Sequence, residues 1–264
     1  FSLASHNTFS YTSPSLDLQY KYNRHLNLYA LYSTGFRPGG YNTTVTTPAD
    51  IPYGQETAKN YEAGFKSRWL QGKAALNFSI FRMDQYNLAI QQTDLSSTLN
   101  FTYLANVGSA RTDGYELEAM IRPIRPLTAS LSVGHLNSTY TRGTVNAGTP
   151  QQIDLTGRVL SGVRPWTINA QLHYDTALSN SIRFSGLVDA RRETGGAIGN
   201  NSDYPLQSLT LLNLAASLTL HKNTQVTLYD HNATNKMIPL FVYATGDVGT
   251  NIGRRFGLQV TQKF

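Results

Sequence analysis

The 264-residue chain contains no cysteine, which excludes disulfide frameworks, cysteine-ligated zinc sites and thiol catalysis. It also lacks any stretch approaching the roughly 18 consecutive apolar residues that a membrane-spanning helix needs. Hydrophobic residues make up 40% of the chain and the mean hydropathy is -0.31. A helical membrane protein is therefore excluded. A β-barrel is not, because barrel strands alternate apolar and polar residues and average out to moderate polarity.

Long runs of one charge are missing as well. The net charge is +6, yet no run of Lys or Arg exceeds two residues, and the densest basic spots are Arg191-Arg192 and Arg254-Arg255. Scattered cations of this kind indicate solvated or channel-facing side chains, not a nucleic-acid patch. We therefore expect no nucleic-acid partner.

Catalytic and metal-binding signatures are also absent from the sequence. The six histidines show no H-x-x-x-H spacing, and neither a G-x-S-x-G nucleophile elbow nor a P-loop occurs. We expect no catalytic residue, no metal site and no cofactor. An outer-membrane lipase or protease stays open as an alternative without support from any motif.

What the sequence does contain is two-residue alternation, together with 16 Tyr, 11 Phe and 21 Gly. In the last eleven residues, Phe256, Leu258 and Val260 share one face, whereas Arg255 and Gln259 share the other. An apolar face against a wet face over about ten residues is what a tilted membrane strand requires. The same pattern predicts about eleven strands, at 15–22, 26–33, 61–67, 74–80, 114–122, 127–134, 166–175, 181–191, 209–220, 224–230 and 254–264.

The connections between these strands alternate in length. Short ones fall at 23–25, 69–73, 123–126, 176–180 and 221–223, and long ones at 36–56, 93–103, 140–162, 192–207 and 231–252. Short turns at one end and long loops at the other are typical of outer-membrane barrels, with the turns on the periplasmic side. We predict an all-β fold, a transmembrane antiparallel β-barrel whose C-terminus is periplasmic.

A soluble sandwich or propeller also alternates, so it is the main alternative fold. Aromatic residues near the predicted strand ends favour the membrane, because interface girdles are aromatic. These residues are Tyr22, Trp69, Trp166, Tyr174 and Phe264.

Five segments resemble the TonB-dependent receptor family of Gram-negative outer membranes. They are LYALYSTGFRPGGYN at 28–42, ETAKNYEAGFK at 56–66, NVGSARTDGYELE at 106–118, YDHNATNK at 229–236 and the terminal strand. In the fourth segment, Ala233 departs from the usual Leu. The last residue, Phe264, resembles the aromatic signal that the barrel assembly machinery reads. The resemblance spans essentially the whole of 1–264 and implies strands 12–22 of a 22-stranded barrel.

By the same resemblance, the family's N-terminal plug domain, its energy-coupling box and the first barrel strands are absent from this chain. An open sheet would expose two edges in lipid, where every backbone group must be paired. We therefore expect the chain to belong to a longer receptor or to pair with another chain. The implied partners are outer-membrane lipid, the missing barrel strands and plug, a TonB-type energy-coupling protein acting through the plug, and a small-molecule ligand. The first residues, 1–6, carry no export signal, so we expect that signal to have been cleaved or residue 1 not to be the natural start.

Ligand contacts are expected in the long loops and the upper channel wall, where Tyr and Arg suit flat, anionic ligands such as ferric chelates. The candidates are Tyr41, Tyr53, Tyr103, Tyr140, Arg142, Arg191, Arg192, Tyr204 and Tyr243. The alternative is that Tyr-rich loops simply pack on one another. Charged residues predicted to point inward, where they form structural salt bridges or contact a plug, are Glu56, Glu62, Lys66, Glu116, Glu118 and Arg122.

The function implied by the resemblance is energy-coupled uptake of a scarce nutrient, with a ferric siderophore as the first expectation and vitamin B12-like or glycan ligands as alternatives. A structural or accessory barrel subunit without transport, and a passive porin, are the rival functions.

Overall fold

The computed structural model describes residues 7–43, 45, 47–94, 101–198, 204–221, 223–242 and 248–263. Its strands are β1 (Ser15–Asn23), β2 (Leu26–Arg37), β3 (Gly40–Tyr41), β4 (Pro52–Tyr53), β5 (Glu56–Trp69), β6 (Ala74–Thr93), β7 (Thr102–Ile124), β8 (Leu127–Val145), β9 (Ile153–Asp154), β10 (Trp166–Ala177), β11 (Ile182–Glu193), β12 (Gly196–Ile198), β13 (Tyr204–Leu206), β14 (Leu209–Leu220), β15 (Thr224–His231), β16 (Pro239–Val242), β17 (Val248–Thr250) and β18 (Arg255–Gln262). Two short 3-10 turns, Pro48–Asp50 and Leu70–Gly72, complete the regular structure. No helix in the described ranges has the length and apolar character needed to cross a membrane.

Eleven of these strands form one antiparallel meander in the order β1-β2-β5-β6-β7-β8-β10-β11-β14-β15-β18, and β9 adds to the end of β8. Each strand pairs with the next strand of the meander along the chain, so all eleven predicted strands are confirmed. Within the described residues β1 has one neighbour and β18 has one neighbour. The sheet is therefore open in this chain.

The pairing register separates side chains onto two faces, because directly opposite residues of an antiparallel pair point the same way. One row of opposites runs Asn27, Lys66, Asn77, Glu118 and Ser132, and it continues through Asn169, Arg191 and Leu211. We call this side the polar face. The predicted inward charges Glu56, Glu62, Lys66, Glu116, Glu118 and Arg122 all fall on it by alternation.

The opposite side, the apolar face, carries the alternate residues of the same strands. Leu18, Leu172 and Leu258 lie on it and are 59%, 50% and 61% exposed, so no other layer of the described protein covers this face. Tyr22, Trp69 and Tyr174 lie at its short-turn end and Trp166 at its long-loop end, as predicted for girdles; Phe264 lies outside the described residues. On β5 the interval from Tyr61 to Trp69 spans nine residues, which matches the length of a tilted membrane strand.

Three strands are longer than the sequence predicts. Strands β6, β7 and β8 have 20, 23 and 19 residues, whereas alternation alone gave 74–80, 114–122 and 127–134. The prediction was too short because both faces become polar at the long-loop end, where the alternation of hydrophobicity disappears although the ladder continues. These three strands project beyond the apolar band.

A small hydrophobic core lies in this projection. Ile90, Ala110, Tyr140, Val145 and Leu155 are buried together, with Leu155 fully inaccessible. The segment after β8 turns at Asn146 and returns along β8, since the Leu155 amide donates to the Gly143 carbonyl at 2.9 Å. The described part of the 140–162 connection is thus a packed hairpin extension.

Aromatic rings cover glycines on the polar face. Tyr29 lies directly opposite Gly64, and Phe81 lies directly opposite Gly114. A methyl group on Gly114 would lie 2.5 Å from Phe81 Cζ and 2.6 Å from the His135 carbonyl oxygen. Because glycine has no side chain, each ring has room to lie flat against the sheet. The ring thereby links its own strand to the neighbouring strand.

Replacing Gly64 or Gly114 with alanine is expected to destabilise the folded protein by roughly 1–3 kcal/mol, because the added methyl forces ring and strand apart. The measurement is the thermal midpoint of unfolding of the full-length protein in detergent, monitored as the loss of the β-sheet circular dichroism signal. Gly35→Ala is the matched control, since no heavy atom lies within 4 Å of a Cβ built at Gly35 in β2. Equal effects of all three substitutions would contradict the ring-covering interpretation.

Candidate functional site

The predicted ligand residues gather at the long-loop end but do not form one cluster. Tyr41 and Tyr53 lie on the short hairpin β3–β4, where Gly40 is opposite Tyr53. Both tyrosines are partly buried, and the Tyr41 hydroxyl is buried without a hydrogen-bond partner among the described residues.

Two asparagines attach this hairpin to the rim of the sheet. Asn42 Nδ2 donates to the Leu104 carbonyl at 2.9 Å and Asn42 Oδ1 accepts from the Leu104 amide at 2.9 Å. The second asparagine lies on the strand and bonds to the loop backbone: Asn106 Oδ1 accepts from the Gly54 amide at 2.5 Å and Asn106 Nδ2 donates to the Gly54 carbonyl at 3.1 Å. Each side-chain amide replaces one rung of a backbone ladder.

Tyr103 lies beside this attachment, on β7 opposite Gln92 and beyond the apolar band. Burial raises the pKa of the Tyr103 phenol, and the negative charges of Asp50 and Asp94 raise it further. Its hydroxyl thus stays a neutral donor at physiological pH.

Tyr140 belongs to the hydrophobic core of the β6–β8 projection and is 7% exposed. Burial raises the pKa of its hydroxyl. Packing within this core is therefore the role that the structure gives this side chain. Of the remaining tyrosines, Tyr204 is in β13, where only its backbone is described, and Tyr243 lies outside the described residues.

The three candidate arginines lie on different faces. Arg142 is opposite Ser109 and exposed, on the side of the apolar face. Arg192, opposite Ile168, shares that side and donates to Thr210 Oγ1 at 3.1 Å. Only Arg191, opposite Asn169, is on the polar face.

Glu193 holds Arg191 in place together with a second arginine. Glu193 Oε1 contacts Arg191 Nη2, and Glu193 Oε2 lies 2.8 Å from Arg164 Nε. The Arg164 and Glu193 side chains are each 12% exposed, whereas that of Arg191 is 50% exposed. Arg164 also donates at 2.9 Å to the carbonyls of Thr194 and Gln207. The fixed, covered pair thus orients a guanidinium that stays open to the polar face.

A second polar cluster lies nearer the middle of the polar face. The Tyr29 hydroxyl donates to Glu62 Oε1 at 2.7 Å, and Asn77 Nδ2 donates to Glu118 Oε2 at 3.2 Å. Lys66 Nζ lies 5.6 Å from the centre of the Tyr29 ring. These two hydrogen bonds and the cation–π contact link β2, β5, β6 and β7, and Glu116 adds a further carboxylate to the same pocket.

No group of three or more His, Asp or Glu side chains in the described ranges is arranged to hold a metal ion.

Sequence reasoning missed Glu193, Arg164 and the asparagines that attach the loops. Asn232 is another, since its Nδ2 donates to the carbonyls of Lys236 at 3.0 Å and Ile252 at 3.1 Å. The available signal was positional, because Asn42, Asn106 and Asn232 lie inside three of the resembling segments. Asn42 and Asn232 directly follow strands, and Asn106 is the fifth residue of β7. Asn at such positions commonly bonds to nearby backbone.

An antiparallel meander with one apolar face, one polar face, short turns at one end and long connections at the other is the wall of a transmembrane β-barrel. The sequence profile of the family described as "TonB dependent receptor-like, beta-barrel" matches residues 2–233. The chain belongs to this family of TonB-dependent receptor barrels, as the sequence motifs predict.

Solved structures share the fold at low sequence identity. The ferric yersiniabactin uptake receptor FyuA from Yersinia pestis superposes with a TM-score of 0.78 at 17% identity, covering 95% of this chain and 37% of that chain. The siderophore receptor PiuA from Acinetobacter baumannii gives 0.75 at 20% identity, covering 95% and 35%. BauA, the ferric preacinetobactin receptor of the same organism, gives 0.70 at 19% identity, covering 96% and 36%. The chain thus spans about a third of the length of the structures it matches.

Replacing Asn106 with aspartate is expected to release the 38–55 loop from the rim, because a carboxylate cannot donate to the Gly54 and Asn87 carbonyls. Amide hydrogen exchange at Gly54 should then quicken roughly tenfold, the change expected when about 1.4 kcal/mol of hydrogen bonding is lost. Asn169→Asp, an exposed polar-face position, is the control. Unchanged exchange at Gly54 would show that other contacts hold the loop.

Proposed function

We propose that this chain forms the C-terminal part of the barrel wall of a TonB-dependent receptor in the outer membrane of a Gram-negative cell, with its C-terminus on the periplasmic side. The plug domain and the remaining strands would complete the barrel, a TonB-type protein would supply energy through the plug, and the barrel assembly machinery would insert it. The proposed cargo is a ferric siderophore.

One observation carries the cargo assignment. Arg191 is the candidate arginine on the polar face, at the long-loop end, and Glu193 with Arg164 fixes its position. A guanidinium held in one orientation presents paired N–H donors that match carboxylate, catecholate or hydroxamate oxygens of an anionic ferric chelate. Three of the matched structures are receptors for siderophores or their ferric complexes, which supports this class of ligand.

The test is iron uptake by cells carrying or lacking the natural gene, complemented with the full-length receptor. Uptake of radiolabelled ferric complexes of a catecholate, a hydroxamate and a phenolate siderophore is measured under iron limitation, with and without a protonophore. We expect gene-dependent uptake of one class that stops when the proton gradient collapses. Gene-dependent entry that ignores the protonophore would indicate a passive porin, and no uptake of any probe would overturn the cargo assignment.

Arg191→Gln is expected to weaken binding of the transported ferric complex by roughly tenfold to a hundredfold, since a charge-assisted bidentate contact is lost. Arg192→Gln, the adjacent arginine on the opposite face, should leave affinity unchanged. The measurement is fluorescence quenching of the purified full-length receptor during titration with the ferric complex. Equal effects of the two substitutions would remove Arg191 from the ligand site.

A further inference from the structure

The two ends of the sheet differ in charge. The five short connections at 23–25, 69–73, 123–126, 176–180 and 221–223 contain four Lys or Arg residues and no Asp or Glu. The five long connections contain five basic and seven acidic residues. The short-turn end is therefore the cationic end of this chain.

Basic side chains gather on three adjacent short turns and on the strand ends beside them. The five residues, all exposed, are Arg24, Arg68, Lys73, Arg122 and Arg125, and we call them the cationic rim. Backbone hydrogen bonds join the turns to the neighbouring strands, since the Arg68 amide donates to the His25 carbonyl at 2.8 Å and the Arg122 amide donates to the Lys73 carbonyl at 2.7 Å. The rim therefore follows one continuous edge of the sheet.

The rim has no counter-charge among the described residues. None of its five side chains takes part in an ion pair there. Asp175, the acidic residue at this end of β10, is already paired with Arg183. Neighbouring cations that lack internal partners create a positive potential, which attracts an anionic partner from outside.

One guanidinium of the rim is held in a defined orientation. Arg24 Nε donates to His25 Nε2 at 2.9 Å, and the His25 ring stacks on Trp69 with centroids 5.5 Å apart. Because an arginine can only donate, His25 Nε2 is the acceptor of a neutral imidazole, and Nδ1 donates to the Arg68 carbonyl at 2.9 Å. The terminal amino groups of Arg24 lie outside these contacts.

The cations of the rim do not face lipid. At this end the apolar face carries Tyr22, Trp69, Ile121 and Tyr174, and no charged side chain among the described residues. Arg68 follows Lys66 by two residues and therefore lies on the polar face. The rim is thus directed to the mouth of the barrel and to the space beyond the turns.

The spacing of the rim limits the shape of its partner. Adjacent short turns are separated by two strands, which places them about 10 Å apart along the edge of the sheet. A compact ligand would reach the cations of one turn, whereas an extended polymer with repeated negative groups reaches all three turns at once. Several weak contacts to one polymer combine into firm attachment.

We propose that the cationic rim binds the carboxylate groups of the cell wall, the glycan polymer cross-linked by short peptides that lies beneath the outer membrane. Guanidinium groups match carboxylates in shape and charge. The inference rests on the proposed placement of the short turns on the periplasmic side, but not on the cargo.

The experiment mixes the purified full-length receptor in detergent with isolated cell-wall sacculi and measures the fraction that sediments with them. Sacculi whose carboxylates have been converted to neutral amides are the matched control. We expect the receptor to bind native sacculi roughly tenfold more tightly than amidated ones. Binding should weaken further when the ionic strength rises from about 0.1 M to about 1 M, because the screening length falls from about 10 Å to about 3 Å.

A triple variant tests the rim itself. Lys73→Gln, Arg122→Gln and Arg125→Gln remove three side chains that form no hydrogen bond or ion pair with described residues, so the thermal midpoint should not change. Binding to native sacculi should fall roughly tenfold, the sum of three modest exposed charge contacts.

The matched variant removes the same amount of charge from the long-loop end, through Arg142→Gln, Arg192→Gln and Lys236→Gln, and should bind sacculi like the wild type. Equal losses in the two triple variants would show an effect of net charge alone and overturn the proposal, as would absence of sedimentation by the wild type. Sedimentation that needs the rim but survives amidation would assign the contact to proteins attached to the sacculi, and would also overturn it.

A separate measurement tests the orientation on which the inference rests. Gln71→Cys places a thiol in the exposed turn between β5 and β6, and a membrane-impermeant maleimide should label it only after the outer membrane of the cell is opened. Labelling in intact cells would overturn the periplasmic placement of the rim. Normal iron uptake without binding to sacculi would overturn the cell-wall proposal alone, whereas binding without uptake would overturn the cargo assignment alone.

Discussion

Backbone groups inside a membrane have no water to bond to, so each N–H and C=O must find a partner within the protein. For the nine strands between β1 and β18 the antiparallel ladder meets this requirement with neighbouring strands, whereas β1 and β18 are each paired on one side only within the described residues. Because the ladder holds the sheet together, the side chains of the membrane strands are not needed to build a core between layers. The buried hydrophobic cluster around Leu155 accordingly lies beyond the membrane band, in the projecting part of β6, β7 and β8.

The same ladder fixes where charges lie. Once the register is set, every second residue of a strand faces the same way, so a single step along the chain moves a side chain to the other environment. Arg191 and Arg192 show the consequence: one is oriented by Glu193 on the polar face, and the other bonds to Thr210 on the opposite side. These two adjacent arginines therefore contribute to opposite faces of the sheet.

Strand positions and faces were predictable because burial in lipid imposes a strict two-residue period. The alternation around Leu172, Val188 and Leu214 gives the face of each side chain directly, and all eleven strands are present. The ends of β6, β7 and β8 were not predictable, since past Arg82 both faces are wet and hydrophobicity carries no period. The Arg164–Glu193–Arg191 group was also missed, because Arg164 lies in a loop and only the turn of the chain before β10 brings it to β11. The sequence placed Tyr140 in the connection 140–162, whereas the structure places it in β8, and nothing in its sequence neighbours shows that Leu155 packs against it.

The loops follow a different physical rule from the sheet. Asn42, Asn106 and Asn232 attach them through side-chain amides that imitate a backbone rung. Such a hydrogen bond contributes only about 0.5–1.5 kcal/mol net, which is small beside the continuous backbone ladder beneath the loops. Regions of low local stability are where proteins place the segments that move during binding. The division between the wall and these loops lies where the backbone ladder gives way to asparagine side chains.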